Sequence, residues 1–208
     1  MQQSKFFFEK EAWAEGHFLV AGVDEAGRGP LAGPLVVAAC ILPKEEVSFS
    51  AIDDSKKLSA KKREELYLDI VSNPLVTFSI ITIAAEIIDE LNILQATLLG
   101  MRQAVEALSL QPDFVLVDGN RSPKFSMPSK AIVKGDSLSY SIGAASILAK
   151  VTRDRLMLEH DKAWPEYGFS IHKGYPTKKH VEVLMGIGPC PIHRLSYAPV
   201  EKALSTIR

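Results

Sequence analysis

Two adjacent acids at the end of an apolar run carry the chemistry of this chain. Phe18, Leu19, Val20, Ala21 and Val23 lead into Asp24-Glu25, and the segment then breaks into Gly27-Arg28-Gly29-Pro30. A carboxylate pair at the end of a buried strand is costly to desolvate unless positive charge compensates it. Glycines let backbone N–H groups approach a ligand closely, and Arg28 adds a fixed cation with a planar fork of donors. Acids for a metal beside an N–H nest for an anion point to metal-assisted phosphate chemistry. An isolated Asp-Glu pair would read as a solvated strand end. Here the chain turns apolar again through Val36, Val37, Ala38, Ala39, Cys40 and Ile41, so the turn links two core strands. Neighbouring side chains on a regular strand face opposite ways, so the two acids share a site only if the strand is ending there.

The device recurs. Phe114-Val-Leu-Val runs into Asp118, and Ala131-Ile-Val-Lys-Gly runs into Asp136. Adjacent strand ends would bring such carboxylates together, where they repel and raise one another's pKa. A hard divalent cation, Mg²⁺ or Mn²⁺, removes that repulsion, and the lack of a His/Cys cluster argues against Zn²⁺. Two such ions can activate a water and stabilise the leaving oxygen of a phosphodiester. The bland alternative is that these acids are helix caps and turn residues.

Elements must hold these groups in place. Residues 1–16 read as a polar-aromatic, partly helical lead-in, followed by a strand, the Gly-rich turn and a second strand to Pro43. After a polar loop, Ser59 caps a helix through Asn73, and residues 75–83 alternate as a strand rich in β-branched residues. Residues 84–108 read as a helix interrupted near Asn92. The segment from 114 to Asp118 is a short buried strand, and the segment ending on Asp136 is another. A long helix spans 139–163. Its first half (Ile142, Gly143, Ala144, Ala145, Ser146, Ala149) is small enough to lie close against a sheet, and its second half, from Arg153 and Asp154 to Lys162, reads as solvated. From Trp164 onward there are no clear strands: a Gly-, Lys- and Pro-rich stretch, a helix over 178–185, a turn at 188–191 and a C-terminal helix. The expectation is an α/β fold, a mixed sheet flanked by helices over residues 1–163, with a small helical appendage over 164–208 packed on it.

Composition sets bounds. The chain has 208 residues, 47% hydrophobic and 24% charged, enough for a full α/β domain with a sizeable core. A net charge of -1 demands a local basic patch for any polyanion to be met. Cys40 and Cys190 form no disulfide framework. Phe6-Phe7-Phe8 is too short and too closely flanked by charge for a signal peptide or membrane span, so a cytoplasmic protein is expected.

Asp24-Glu-Ala-Gly-Arg-Gly-Pro-Leu-Ala-Gly-Pro34, Asp54-Ser-Lys-Lys-Leu-Ser59, Val117-Asp-Gly-Asn120, Lys134-Gly-Asp136, the helix segment from Ala144 to Asp154, His172-Lys-Gly-Tyr175 and His193-Arg194 occur in one order along the chain. Together they resemble bacterial ribonuclease HII, the Gly-Arg-Gly triplet setting it apart from ribonuclease HIII. The resemblance implies an RNase H-like fold and a type 2 ribonuclease H. Such an enzyme cuts the RNA strand of RNA–DNA hybrids and nicks 5′ to ribonucleotides embedded in duplex DNA, leaving 3′-hydroxyl and 5′-phosphate ends, as in ribonucleotide excision repair and DNA replication. It implies that Asp24, Glu25, Asp118 and Asp136 bind Mn²⁺ or Mg²⁺ and act as catalytic acids. It further implies that Gly27, Arg28 and Gly29 contact the 2′-hydroxyl and flanking phosphate, largely through backbone. Tyr175 would hydrogen-bond the 2′-hydroxyl and stack on the neighbouring deoxyribose. The partner is nucleic acid, with no membrane and no obligatory protein partner, and a monomer is the default.

Other residues remain open between roles. Lys56 and Lys57 are phosphate contacts by resemblance and a solvated turn by composition. Ser146 and Lys150 share a helix face and either support the site or touch nucleic acid. Asn92 and Thr97 match a family segment and serve equally as local caps. Asp154 reads as a surface acid paired with an arginine, and His172, His180 and His193 as phosphate contacts or structural hydrogen-bonders. Pro176 restricts Tyr175 to extended conformations. Two rival readings exist: a metal-dependent nuclease indifferent to the 2′-hydroxyl, and a silent hybrid-binding module. The first leaves Gly27–Gly29 and Tyr175 without a task, and the second would expect a missing acid. A P-loop enzyme is disfavoured, since no such motif occurs.

Overall fold

A computed structural model describes residues 6–44, 52 and 58–206; Lys56 and Lys57 lie outside the described residues. Its centre is a five-stranded sheet in the order β3-β2-β1-β4-β5, built from β1 (Val20–Ala26), β2 (Leu35–Ile41), β3 (Thr77–Ile83), β4 (Phe114–Asp118) and β5 (Ser129–Ile132). β1, β2 and β3 pair antiparallel, while β4 joins β1 in parallel and β5 joins β4 in parallel. The sheet is therefore mixed, as expected.

The unbroken apolar run of β2 has a direct cause, because helices cover both faces of the sheet. Val36, Ala38 and Cys40 pack with Ile147, Leu148 and Val151 of α6 (Tyr140–Ala163) and with Leu66 and Ile70 of α2 (Ala60–Ser72). Leu35, Val37, Ala39 and Ile41 pack on the opposite side with Ala96, Met101, Ala104 and Val105 of α4 (Ile93–Glu106). A strand buried on both faces loses the polar alternation of an edge strand.

α6 lies against β1 at almost backbone contact. A Cβ placed on Gly22 would fall 2.1 Å from the carbonyl carbon of Ser141, so only glycine permits this approach. Glu9 of the N-terminal helix α1 (Phe7–Ala14) ties down the start of α6, accepting hydrogen bonds from the Ser139 hydroxyl at 2.6 Å and the Ser141 N–H at 3.0 Å. α3 (Ala85–Leu91) and α4 are separated at Asn92, where φ is 68° and the side chain caps Leu94 and Gln95. The interruption read from the sequence falls there, and Asn92 takes the capping role. Thr97 bonds its own helix through the Ile93 carbonyl at 2.7 Å.

The sequence misplaced one acid. β5 ends at Ile132, Lys134 turns into the left-handed region at φ 60°, and Asp136 sits in the first turn of the short helix α5 (Gly135–Leu138) instead of on a strand end. A left-handed residue followed by glycine breaks an extended run that composition alone reads as continuous.

Beyond α6 the chain forms a 3-10 turn (Pro165–Tyr167), α7 (Phe169–His172), α8 (Lys178–Ile187) and α9 (Ala198–Thr206). This segment grips the loop after the Gly-rich turn. Leu31 is buried with Leu184, Val200 and Ala203, while Ala32 is buried with Met157, Tyr167, Phe169 and Cys190. Three histidines fill the space between. The His172 and His180 rings stack at 4.4 Å, and His180 Nε2 lies 3.1 Å from His193 Nε2. All are buried, so none is placed to meet a phosphate, and the structural alternative describes them.

Burial, then the charge of His180, pushes His193 from its ordinary 6.5 down to about 4, and burial also lowers His180. The groups facing His193 are His180, Cys190 and the Tyr167 ring, with His172 farther off; none is an anion at neutral pH. A folded-state pKa below the unfolded one means that the unfolded chain binds the extra proton first. The stability is whole above about pH 6.5 and is lost as pH falls toward 4, with a slope of about 1.4 kcal/mol per pH unit from His193 alone. The difference between wild type and His193→Gln isolates this contribution from carboxyls that titrate in the same range: from pH 7 to pH 4 the thermal midpoint of wild type should drop by more than that of the variant.

Candidate active site

The parallel pairing of β1 with β4 stops at Val23–Val117, whereas the antiparallel pairing with β2 continues to Ala26. Asp24 and Glu25 therefore lie on strand backbone that has lost its neighbour on one side, at the place where β4 ends on Asp118. Alternation still holds: Val23 packs on the α4 face and Ala26 on the α6 face. Opposite-facing acids share a site here because the sheet opens between them.

The result is a cleft of about 220 Å³ lined by Asp24, Glu25 and Asp118, the stretch from Gly27 to Gly29, and Ser146, Lys150 and Tyr175. Burial first, and then the charges of Glu25 and Asp118, push the Asp24 carboxyl well above the usual carboxylate range. The Ser146 hydroxyl and the Glu25 N–H, the latter 2.7 Å from Asp24 Oδ1, pull it partly back. Asp118 Oδ1 accepts from the Gly135 N–H at 2.7 Å, which fixes α5 beside it. Asp136, the next residue, is buried and is not among those lining the cleft.

Arg28 Nη1 stands 3.5 Å from Glu25 Oε1. Lys150 is held by Asp154 at 2.6 Å, so the partner of Asp154 is this lysine and not an arginine. The pair lies one helical turn apart on the face that carries Ser146.

Among the described residues, no three His, Cys, Asp or Glu side chains are already gathered as a metal cluster. What the cleft does offer is an all-oxygen donor set, with Asp24 raised by burial and then by its two acidic neighbours. That chemistry fits a hard divalent cation and does not fit a thiolate or imidazole metal.

The Gly-rich loop is held from behind by two buried arginines. Arg194 Nη2 donates to the Gly27 carbonyl at 2.6 Å, its Nη1 to Arg28 O at 3.1 Å, and its Nε to Gly33 O at 3.1 Å. Arg153 donates from Nε to Pro34 O at 2.9 Å, from Nη2 to Ala32 O at 3.1 Å and from Nη1 to Lys173 O at 2.9 Å. Burial, and next the charge of Arg194, lowers Arg153 to about 10, so it keeps its proton at neutral pH. No peptide here is cis. With the Gly27 and Arg28 carbonyls turned to Arg194, planarity sends the N–H groups of Arg28 and Gly29 the opposite way.

Sequence reading missed this pair. Arg153 was placed on the solvated half of its helix, yet it is 1% exposed. The available signal was spacing, because Arg153 lies seven residues, about two turns, beyond Ser146 on the same face. Tyr197 adds to this support, donating its hydroxyl to Arg28 O at 2.7 Å. Tyr175 is 41% exposed and lines the cleft, with Pro176 inside a tight turn closed by the Thr177 N–H on the Tyr175 carbonyl at 2.8 Å.

A family model described as Ribonuclease HII matches residues 21–200. The chain belongs to the ribonuclease HII family. It is 53% identical over 198 residues to the Ribonuclease HII of Myxococcus xanthus, covering 95% of this chain and 67% of that protein. Its structure resembles the crystal structure of the ribonuclease H2 from Pyrococcus horikoshii, with a TM-score of 0.77 and 26% identity over 90% of this chain and 98% of that one. The fold is accordingly RNase H-like. Bst-RNase HIII, solved in complex with Mn²⁺, shares that fold at 17% identity and a TM-score of 0.64, covering 90% of this chain and 70% of that one. Membership in the ribonuclease HII family makes the chain a type 2 ribonuclease H, an endonuclease of RNA–DNA hybrids. Among the described residues, no helix is long and apolar enough to cross a membrane.

The two glycines of the triplet separate structure from function. Gly27 has φ 104°, and its Cβ would fall 2.2 Å from Arg153 Nε, whereas a Cβ on Gly29 meets only Tyr175 Cε1 at 3.7 Å. Gly27→Ala should lower stability by about 1–3 kcal/mol or more. Gly29→Ala should leave stability within about 0.5 kcal/mol of wild type and still slow cleavage, because its methyl occupies the cleft beside Tyr175. Paired melting curves and hybrid-cleavage rates check both.

Proposed function

We propose that this type 2 ribonuclease H also nicks 5′ to single ribonucleotides embedded in duplex DNA, and that hydrolysis leaves 3′-hydroxyl and 5′-phosphate ends. The observation that carries the reading is the meeting, in one cleft, of three carboxylates, the Gly27–Gly29 backbone and the Tyr175 ring. The 2′-hydroxyl is what distinguishes a lone ribonucleotide's sugar from its neighbours, and it both donates and accepts. A backbone turned N–H outward, with no side chain at Gly29, can approach that group closely. Tyr175 offers a second hydroxyl and an aromatic face opposite the triplet.

In this reading Asp24, Glu25, Asp118 and Asp136 are the catalytic acids. Asp24, Glu25 and Asp118 would hold a divalent cation, Mg²⁺ or Mn²⁺, with Asp136 completing the set from α5. When bound, such a cation polarises the scissile phosphodiester and activates a water. Ser146 orients Asp24 by its hydrogen bond. Lys150, restrained by Asp154, and Arg28 supply positive charge for the backbone phosphates, and Lys56 joins them by family resemblance.

The test uses a labelled DNA duplex carrying one ribonucleotide beside an all-DNA control, with Mg²⁺, Mn²⁺ or EDTA. A metal-dependent nick on the 5′ side of the ribonucleotide, absent from the control, is expected; equal cutting of both duplexes would overturn the 2′-hydroxyl reading. Asp24→Asn should cut cleavage by about 10²–10³-fold or more. It also relieves a buried, repelled carboxylate, so its thermal midpoint in EDTA should rise by about 2–4 °C. Added Mg²⁺ or Mn²⁺ should stabilise wild type more than the variant.

A further inference from the structure

His180 is fully buried on α8 and bridges two loops, with Nδ1 2.9 Å from the Tyr175 carbonyl oxygen and Nε2 3.1 Å from His193 Nε2. The partners at each end assign the protons. A carbonyl only accepts, so His180 Nδ1 carries its hydrogen and Nε2 is bare. At the far end three Cys190 atoms surround His193 Nδ1, the N–H donating at 3.0 Å, with Sγ at 3.2 Å and the carbonyl oxygen at 3.3 Å. The bare His180 Nε2 has a donor only if the His193 hydrogen sits on Nε2, which leaves Nδ1 to accept from the nearer N–H. The His193 hydrogen then points at the bare nitrogen of His180. One direction of donation runs from the Cys190 backbone through two neutral rings to the Tyr175 backbone.

The receiving segment needs such support. Lys173 and Gly174 stand at φ 51° and 81°, directly before Tyr175. A non-glycine residue in the left-handed region persists where its surroundings over-determine it. The His172 ring serves the same loop, accepting from the Gly174 N–H at 3.2 Å and bonding the Tyr167 carbonyl at 2.8 Å while it stacks on His180. The Tyr175 ring is half exposed in the cleft, with the Arg153 guanidinium 5.8 Å from its centroid, and its backbone is held at the N–H by the His172 carbonyl at 2.9 Å and at the carbonyl by His180.

We propose that His180, locked in one tautomer by His193 and the Cys190 turn, is a positioning residue for Tyr175 and acts on ribonucleotide recognition through it. The inference rests on the reading that Tyr175 contacts the ribonucleotide. His180→Leu removes the donor and should lower kcat/KM on the single-ribonucleotide duplex roughly tenfold, the scale of one hydrogen bond. In a Tyr175→Ala background the same substitution should change it by less than about twofold, because coupled residues are not additive. His180→Asn keeps a donor near the position of Nδ1 and should recover most of the loss. Imidazole ¹⁵N spectra of the wild-type protein test the chain without any variant: His180 should show Nδ1–H and His193 Nε2–H. Additive losses in the two backgrounds, an Asn variant as poor as Leu, or two rings of the same tautomer would each overturn the proposal. A Tyr175→Ala enzyme that cuts as fast as wild type would instead overturn the reading of Tyr175, and this inference with it.

Discussion

Two guanidinium groups bonded to backbone carbonyls hold this active site together. A buried arginine is expensive unless its donors are satisfied. Arg194 and Arg153 satisfy theirs on the loop from Gly27 to Pro34, with Arg153 reaching on to Lys173. The exchange works both ways, since the loop's carbonyls would otherwise be buried without partners. A lysine, a point charge on a flexible stem, could not serve several carbonyls in fixed directions. The same contacts lock the C-terminal segment to the sheet: Ala32 bridges His193, the Leu31 N–H meets the Gly174 carbonyl at 2.8 Å, and the Arg194 N–H meets Leu31 O at 2.8 Å. These contacts join the Gly-rich loop, the Tyr175 loop and the 188–194 turn into one unit.

On the other side of the cleft the constraint is buried charge, desolvation first and repulsion after it. The sheet ends β1 and β4 together and so gathers Asp24, Glu25 and Asp118 at a cost visible in the raised Asp24 carboxyl. Stability is given up where cation affinity is wanted. The donors that limit the cost, the Ser146 hydroxyl and the Glu25 and Gly135 N–H groups, all come from rigid elements or their first turns. α6 carries both Ser146, on the acids, and Arg153, on the loop, so one helix sets the two halves of the site against each other.

Much of this was legible in the chain. The acids at strand ends, the Gly-Arg-Gly break and the small-residue face of α6 follow from the polarity and size of adjacent residues, which local sequence shows directly. The mixed sheet followed from alternating patterns. What was not legible depended on distant partners. Asp136 was read onto a strand because Ala131-Ile-Val is strand-like, while the left-handed Lys134 that ends it is set by tertiary context. Arg153 was read as solvated because charge is a good guide to exposure except where remote carbonyls wait for it. The histidines offered identity without location, and only their burial against one another decides their role.

The most direct measurement of the central claim is a crystal structure of the Asp24→Asn protein bound to a duplex with one ribonucleotide. The account predicts the Arg28 and Gly29 N–H groups at hydrogen-bond distance from the 2′-hydroxyl or its flanking phosphate, with the Gly27 and Arg28 carbonyls still on Arg194. A ribose seated away from this loop, or a loop whose carbonyls leave Arg194 to meet the substrate, would contradict it.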